Sequence, residues 1–287
     1  MMVDSVAVLL RGLSFIAMFQ AVGGALFLIL FGTWLPLSGV RIRRLLRIAT
    51  LTAGALVLLQ FSIEAARLAG EFSGVWDPQM QRLAWDSVVG TATRLRLGGL
   101  LLVLVGLLAR RRTAAVLCIL GIAVLAVAFT LLGHTVDQPH RMGLALLLLL
   151  HLLSMAFWFG AIWPLRQAVI LEAPAAAAAV LERFSRFAVW IVPGMLLAGA
   201  TLVVLLVPGF SVFGQPYGRL LLAKMAGFGA LMGFAAVNKL RLTPALLQND
   251  PAAVPRLRRS LLSEYLILAA VLCITAIMTE LYSPDTV

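Results

Sequence analysis

Charge is the scarcest property of this sequence. Only 12% of its 287 residues are Asp, Glu, Lys or Arg, against 62% apolar, and the mean hydropathy is +1.03. Soluble domains carry about 25% charged residues, and a chain of this size cannot hide so much apolar surface from water in a core of its own. A soluble enzyme, a nucleic-acid-binding module and a disordered chain are therefore excluded. Cysteine is almost absent. Cys118 and Cys273 both lie in apolar runs, form no CxxC pair and suggest no disulfide framework, so they read as small packing residues. Catalytic signatures are missing as well. There is no P-loop, no HExxH, no GxSxG and no paired-carboxylate motif, and the chain reads as a non-enzyme.

What the sequence does have is long apolar runs. A spanning helix needs about 20 mainly apolar residues, and eight segments qualify: roughly 8–36, 46–68, 87–108, 114–134, 141–165, 186–207, 219–238 and 261–281. In lipid every backbone polar group must be satisfied internally, which makes each of them a helix. The expected fold is an all-α polytopic bundle of eight transmembrane helices in a lipid bilayer. The first run is too long for a cleaved signal peptide and is followed by arginines. Connections are short, so residues 1–287 read as one transmembrane domain.

The few charges are sorted by side. There are 23 Lys+Arg, 21 of them Arg, against 12 Asp+Glu. Fifteen of the basic residues fall in the odd-numbered connections: Arg41, Arg43, Arg44 and Arg47; Arg110, Arg111 and Arg112; Arg166, Arg183 and Arg186; Lys239, Arg241, Arg256, Arg258 and Arg259. The opposite side has Arg67, Arg82, Arg141 and Arg219 only. The positive-inside rule then places both termini outside. A parallel four-plus-four repeat, 1–135 and 136–287, is also expected. Phe31-Gly32-Thr33-Trp34-Leu35-Pro36 and Phe159-Gly160-Ala161-Ile162-Trp163-Pro164 end helices 1 and 5, and Arg44-x-x-Arg47 and Arg183-x-x-Arg186 open the next ones.

Ionisable residues within spans are costly and are functional candidates. By helical rise, Arg11, Glu64, Arg94, Arg96, Lys224, His134 and His151 all fall in the outer half. That distribution suggests an outward polar vestibule closed by a dry inner layer, with Asn238 and Glu264 near the inner boundary. Glu64 and Arg94 share a depth and are expected to pair, whereas Arg11 and Lys224 read as snorkelling cations. Glu64, Arg94, Arg96, Trp158 and Lys224 form the expected buried polar support.

Histidine is concentrated in one hairpin. His134 closes helix 4, His140 lies in the outer loop and His151 sits about ten residues into helix 5. Met155 and Trp158 continue the His151 face one and two turns further in. Imidazole and thioether together suit copper, and thioether favours Cu(I). A bis-His haem needs two histidines at one depth, which His134 and His151 do not offer, although a single b-type haem stays open as an alternative. A metal-free proton relay through His151 and Glu64 also stays open.

These residues resemble the copper-resistance D (CopD) family of bacterial inner-membrane proteins. The likeness is carried by Gly133-His134, Leu150-His151-Leu152-Leu153, Trp158-x-Gly160 and Arg183-Phe184-Ser185-Arg186. It continues through Pro216-Tyr217-Gly218-Arg219-Leu220-Leu221-Leu222-Ala223-Lys224 and Asn238-Lys239-Leu240-Arg241-Leu242-Thr243-Pro244. It is clearest over residues 130–245. The resemblance implies an inner-membrane protein with periplasmic termini that moves or hands over copper, beside a separate periplasmic CopC-like copper-binding protein. Copper is expected to meet His134 and His140, with Asp137 or Met142, and to pass to His151 and Met155. A scaffold for copper-enzyme assembly that transports nothing is the remaining alternative.

Overall fold

The computed structural model describes residues 2–132, 140–206 and 209–282. Its long helices are α1 (Met2–Phe31), α2 (Gly39–Ala69), α4 (Val88–Leu108), α5 (Arg111–Thr130), α6 (Arg141–Leu171), α7 (Pro174–Leu206), α8 (Pro216–Val237) and α10 (Ala253–Leu281); two short ones, α3 (Pro78–Asp86) and α9 (Thr243–Leu247), complete the series. Eight helices are long and apolar enough to cross a membrane, one in each expected span. The protein is an all-α polytopic bundle. An even number of crossings puts both termini at one end, called here the termini end; the opposite end carries the fifteen basic residues and is called the arginine-rich end.

Helix boundaries differ from the expected spans mainly at the arginine-rich end. There α2 begins at Gly39, α6 runs to Leu171, α7 begins at Pro174 and α10 at Ala253. Arg44, Arg47, Arg183, Arg186, Arg256, Arg258 and Arg259 thus stand on helical extensions rather than in loops. Hydropathy marks where hydrocarbon ends, while the i→i−4 ladder continues into the headgroup layer as long as no breaker intervenes. Helices of about 30 residues rise roughly 45 Å, well beyond the roughly 30 Å hydrocarbon layer. The two Phe-Gly-…-Trp-Pro segments also behave differently. Gly32–Trp34 tightens into a 3₁₀ turn that closes α1, whereas α6 continues through Pro164. A membrane helix tolerates such a proline because neighbouring helices re-satisfy the freed backbone groups.

The core centres on α1, which packs against α2, α6 and α10. Its middle is a run of small residues, and it crosses α6 where Gly23 and Gly24 meet Ala156 and Gly160. A Cβ on Gly23 would run into the Ala156 carbonyl, and one on Gly160 into the Gly23–Gly24 backbone, so glycine is required for this approach. Gln20 Nε2 donates to the Gly160 carbonyl across the crossing at 3.1 Å. Below it Phe27 and Phe31 pack 4.9 Å apart, fully buried. At the arginine-rich end the Glu172 carboxylate accepts from Leu37 N (3.1 Å), Ser38 N (2.8 Å) and Ser38 Oγ (2.6 Å). Those contacts tie the start of α2 to the end of α6. By contrast α7 and α8 lie at the rim, with Trp190 and Leu197 82% and 71% exposed to what would be lipid.

Candidate metal-handling site

The segment from Arg141 to His151 is one uninterrupted helical stretch, because Leu, Ala and Met are strong helix formers. It carries His151 about 15 Å in from the start of α6. There the imidazole is half-buried and its Nδ1 lies 3.0 Å from the carbonyl oxygen of Met195 on α7. A carbonyl can only accept, so Nδ1 carries the hydrogen. In the neutral ring Nε2 is then left with a free lone pair. Metal-binding histidines are commonly oriented in this way, through a backbone carbonyl on the other ring nitrogen.

Gly199 makes room for the ring. A Cβ at that position would stand 3.0 Å from both Cε1 and Nδ1 of His151. The charge of Lys224, on α8, also acts on His151. One turn deeper Met155 is buried, and two turns deeper Trp158 is buried and meets Phe228 of α8 edge-on, with centroids 6.1 Å apart. Along this stripe His151 thus meets α7 and Trp158 meets α8, with Met155 buried between them in the sequence. Met195, itself buried, adds a second thioether-bearing residue to this neighbourhood from α7.

Other expected members lie elsewhere. His140 is exposed just before α6 and about 16 Å along the helix from His151, so the two do not share one site. His134 and Asp137 lie outside the described residues. Met142 is 78% exposed. Among the described residues no group of three His, Cys, Asp or Glu side chains could hold a metal. Of the expected set, His151 and Met155 stand one turn apart on α6, and imidazole with thioether suits Cu(I) better than a hard cation.

The remaining support residues belong to the other side of the bundle, on α2 and α4. The expected Glu64–Arg94 pair gives way to local partners. Glu64 meets Arg67 at 3.4 Å, one turn along its own helix. Arg94 donates to Thr91 Oγ1 at 3.0 Å and lies over the Trp85 ring. Arg96 lies over Phe129, and its buried Nε has no hydrogen-bond partner. Arg11 pairs with Glu280 at 2.6 Å rather than reaching for water alone, and Glu280 also meets Arg67 at 3.1 Å. This network clamps α1, α2 and α10 together at the termini end. Equal depth on two helices cannot reveal which way each side chain is turned, which is why the pairing differs from expectation.

The half near the arginine-rich end is wetter than the expected dry layer. Gln167, Glu172, Asn238, Thr243, Ser260 and Glu264 are all buried there. An open groove of about 270 Å³, lined by Glu182, Ser185, Arg186, Lys239, Thr243 and Pro244, enters from that end. Single polar residues vanish in a hydropathy average, so only the Asn238 and Glu264 positions were visible beforehand, without their partnership. Met195 and Gly199 were not visible at all, since nothing local distinguishes them from lipid-facing residues.

Fold and site together define a polytopic helical membrane protein with a half-buried imidazole oriented by a backbone carbonyl of the neighbouring helix. Residues 2–144 match the family model described as copper resistance protein D-like, N-terminal domain, and residues 178–278 match copper resistance protein D. The chain belongs to the copper resistance protein D family and is a copper-resistance membrane protein. The first four spans thus carry a clear family match, beyond the 130–245 stretch where the resemblance is clearest to the eye. Residues 145–177, which hold His151, Met155 and Trp158, fall between the two matches. No curated protein and no solved structure matches the chain.

Proposed function

We propose that this protein is a copper permease or copper-delivery protein of the bacterial inner membrane, with its termini in the periplasm, and that His151 and Met155 form the deep station of its copper path. The observation that carries this reading is the His151 Nδ1–Met195 carbonyl contact, which leaves Nε2 with a free lone pair one helical turn from the buried Met155. Family membership supports copper as the cargo. Fifteen of 23 basic residues at one end support that end as cytoplasmic. On this reading copper arrives at the termini end from a separate CopC-like periplasmic protein, meets His140 and His134, and moves inward to His151. The helices supply the ligands and the passage, with no catalysis of a covalent reaction.

Copper loading of the purified protein, followed by elemental analysis, tests the reading. His151→Ala should lose deep-site copper while keeping the wild-type melting temperature. Full copper retention in the folded variant would sink the His151 station. An optical spectrum of the same sample decides against a b-type haem if no Soret band appears. Copper flux in reconstituted vesicles separates a permease from a scaffold.

A further inference from the structure

At the arginine-rich end the helical ladder of α8 is interrupted. Residues Asn238–Leu242 form a single π turn before α9 resumes. Such turns insert one extra residue, re-aim side chains and recur at functional sites. Here Thr243 Oγ1 donates to the Asn238 carbonyl at 2.8 Å, and the Asn238 side chain is turned toward α10, where its Nδ2 donates to Glu264 Oε1. Ser260 stands one turn from Glu264 on the same face of α10. All three side chains are more than nine-tenths buried: Asn238 is 7%, Ser260 8% and Glu264 4% exposed.

The hydrogen-bond inventory of this cluster does not close. Asn238 Oδ1 and Ser260 Oγ are buried and have no partner. An ionised carboxylate and an amide oxygen only accept, and the Glu264 carboxylate receives a hydrogen bond from Asn238 alone among the described residues. Nor does a cation compensate the carboxylate. The elements packed on α10 are α1, α6, α8, α9 and the π turn. Of these, α6 contributes Arg166, which lies over Trp163. The π turn contributes Lys239 and Arg241, both exposed. The charges of α1 (Asp4, Arg11) and of α8 (Arg219, Lys224) lie toward the termini end, and α9 has none. On α10 itself Arg256, Arg258 and Arg259 are exposed, Glu280 is at the far end, and the neighbouring titratable Tyr265 packs between Phe159 and Trp163. Among the described residues, none places a cationic nitrogen within 4 Å of Glu264.

We propose that Glu264, held by Asn238 at the π turn, is a proton-exchange site open to the arginine-rich end. A proton on the carboxyl removes the uncompensated buried charge and adds a donor to the cluster. The groove lined by Thr243 and Lys239 leads to the Asn238 turn, and the exposed Glu182 carboxylate stands at its rim. Hydronium entering the groove transfers its proton to a Glu264 carboxylate oxygen, leaving water and a neutral carboxylic acid; release is the reverse. One carboxylate and two neutral oxygens are too few for a bound metal. On the transport reading above, on which only this last clause rests, the site couples proton movement to copper movement.

The proton site is tested without copper. An apolar carbodiimide reacts with protonated buried carboxyls, and its adducts are mapped by mass spectrometry on the wild-type protein in lipid. An adduct on Glu264 is expected, with a yield falling about tenfold per pH unit once the group ionises. Infrared difference spectra across a pH jump should show a protonated-carboxyl stretch that is absent in Glu264→Gln and retained in Glu280→Gln. No Glu264 adduct at any pH, or an unchanged stretch in folded Glu264→Gln, overturns the proposal. Vesicles holding a pH-sensitive dye then judge the coupling. Copper influx with no proton movement refutes coupling, whereas absence of copper influx refutes the transport reading and leaves the carbodiimide result to decide the proton site.

Discussion

Gly199→Ala is the sharpest probe of the His151 station, because it alters the orientation of the ring and no ligand. The added Cβ would sit 3.0 Å from Cε1 and Nδ1 of His151, tighter than ordinary van der Waals contact, so the imidazole must shift by a few tenths of an ångström. The shift is taken up in the 3.0 Å Nδ1–H···O contact to Met195, since the ring is otherwise held by its own helix. Loss of such an orienting partner costs about 10–100-fold in metal affinity. Helix propensity acts oppositely: Ala for Gly stabilises a helix interior by roughly 0.5–1 kcal/mol. The variant should therefore melt no lower than wild type while binding copper at least tenfold more weakly. Competition with a coloured Cu(I) chelator measures the affinity. Gly194→Ala on the same helix is the control, because no atom lies within 4 Å of its added Cβ. It should gain the same helical stability and keep full affinity. Equal copper affinity in Gly199→Ala and wild type would refute the orienting role of the Met195 carbonyl.

Two further predictions concern the frame that holds this site. Gly23→Ala places a Cβ against the Ala156 carbonyl, which forces α1 and α6 apart; overpacking of this kind costs about 1–3 kcal/mol, read as a lower melting temperature in detergent, while Gly54→Ala, which meets nothing, should not destabilise. Glu172→Ala strands the donors of Leu37, Ser38 N and Ser38 Oγ at a buried turn, a loss of about 1–3 kcal/mol that should appear as early hydrogen exchange at the start of α2.

The spans were legible because hydrocarbon imposes a requirement on every residue of a run, so each of the eight shows in composition alone. Helix ends were less so. The arginines from Arg41 to Arg47 look like a loop to hydropathy, yet Gly39–Ala69 is one helix, since backbone hydrogen bonding does not depend on side-chain polarity. Within the site, the shared His151–Met155–Trp158 face followed from 3.6-residue periodicity, and the structure buries Met155 and Trp158 and half-buries His151. The Glu64–Arg94 pairing did not form, because depth is one coordinate and rotation about the helix is another. His134 lies outside the described residues, and the four-plus-four repeat is still an expectation.

By itself the sequence determined that this chain lives in lipid, crosses it eight times and carries its basic residues at one end, because solvent preference and charge count are additive over residues. It also marked a small set of polar exceptions. Tertiary structure alone decided which exceptions meet. Met195 offers its carbonyl to His151, Glu280 answers Arg11, and Asn238 reaches Glu264 from a π turn that no propensity announces. Contact depends on how helices rotate and cross, and here that is set by the close backbone approach at Gly23 and Gly160.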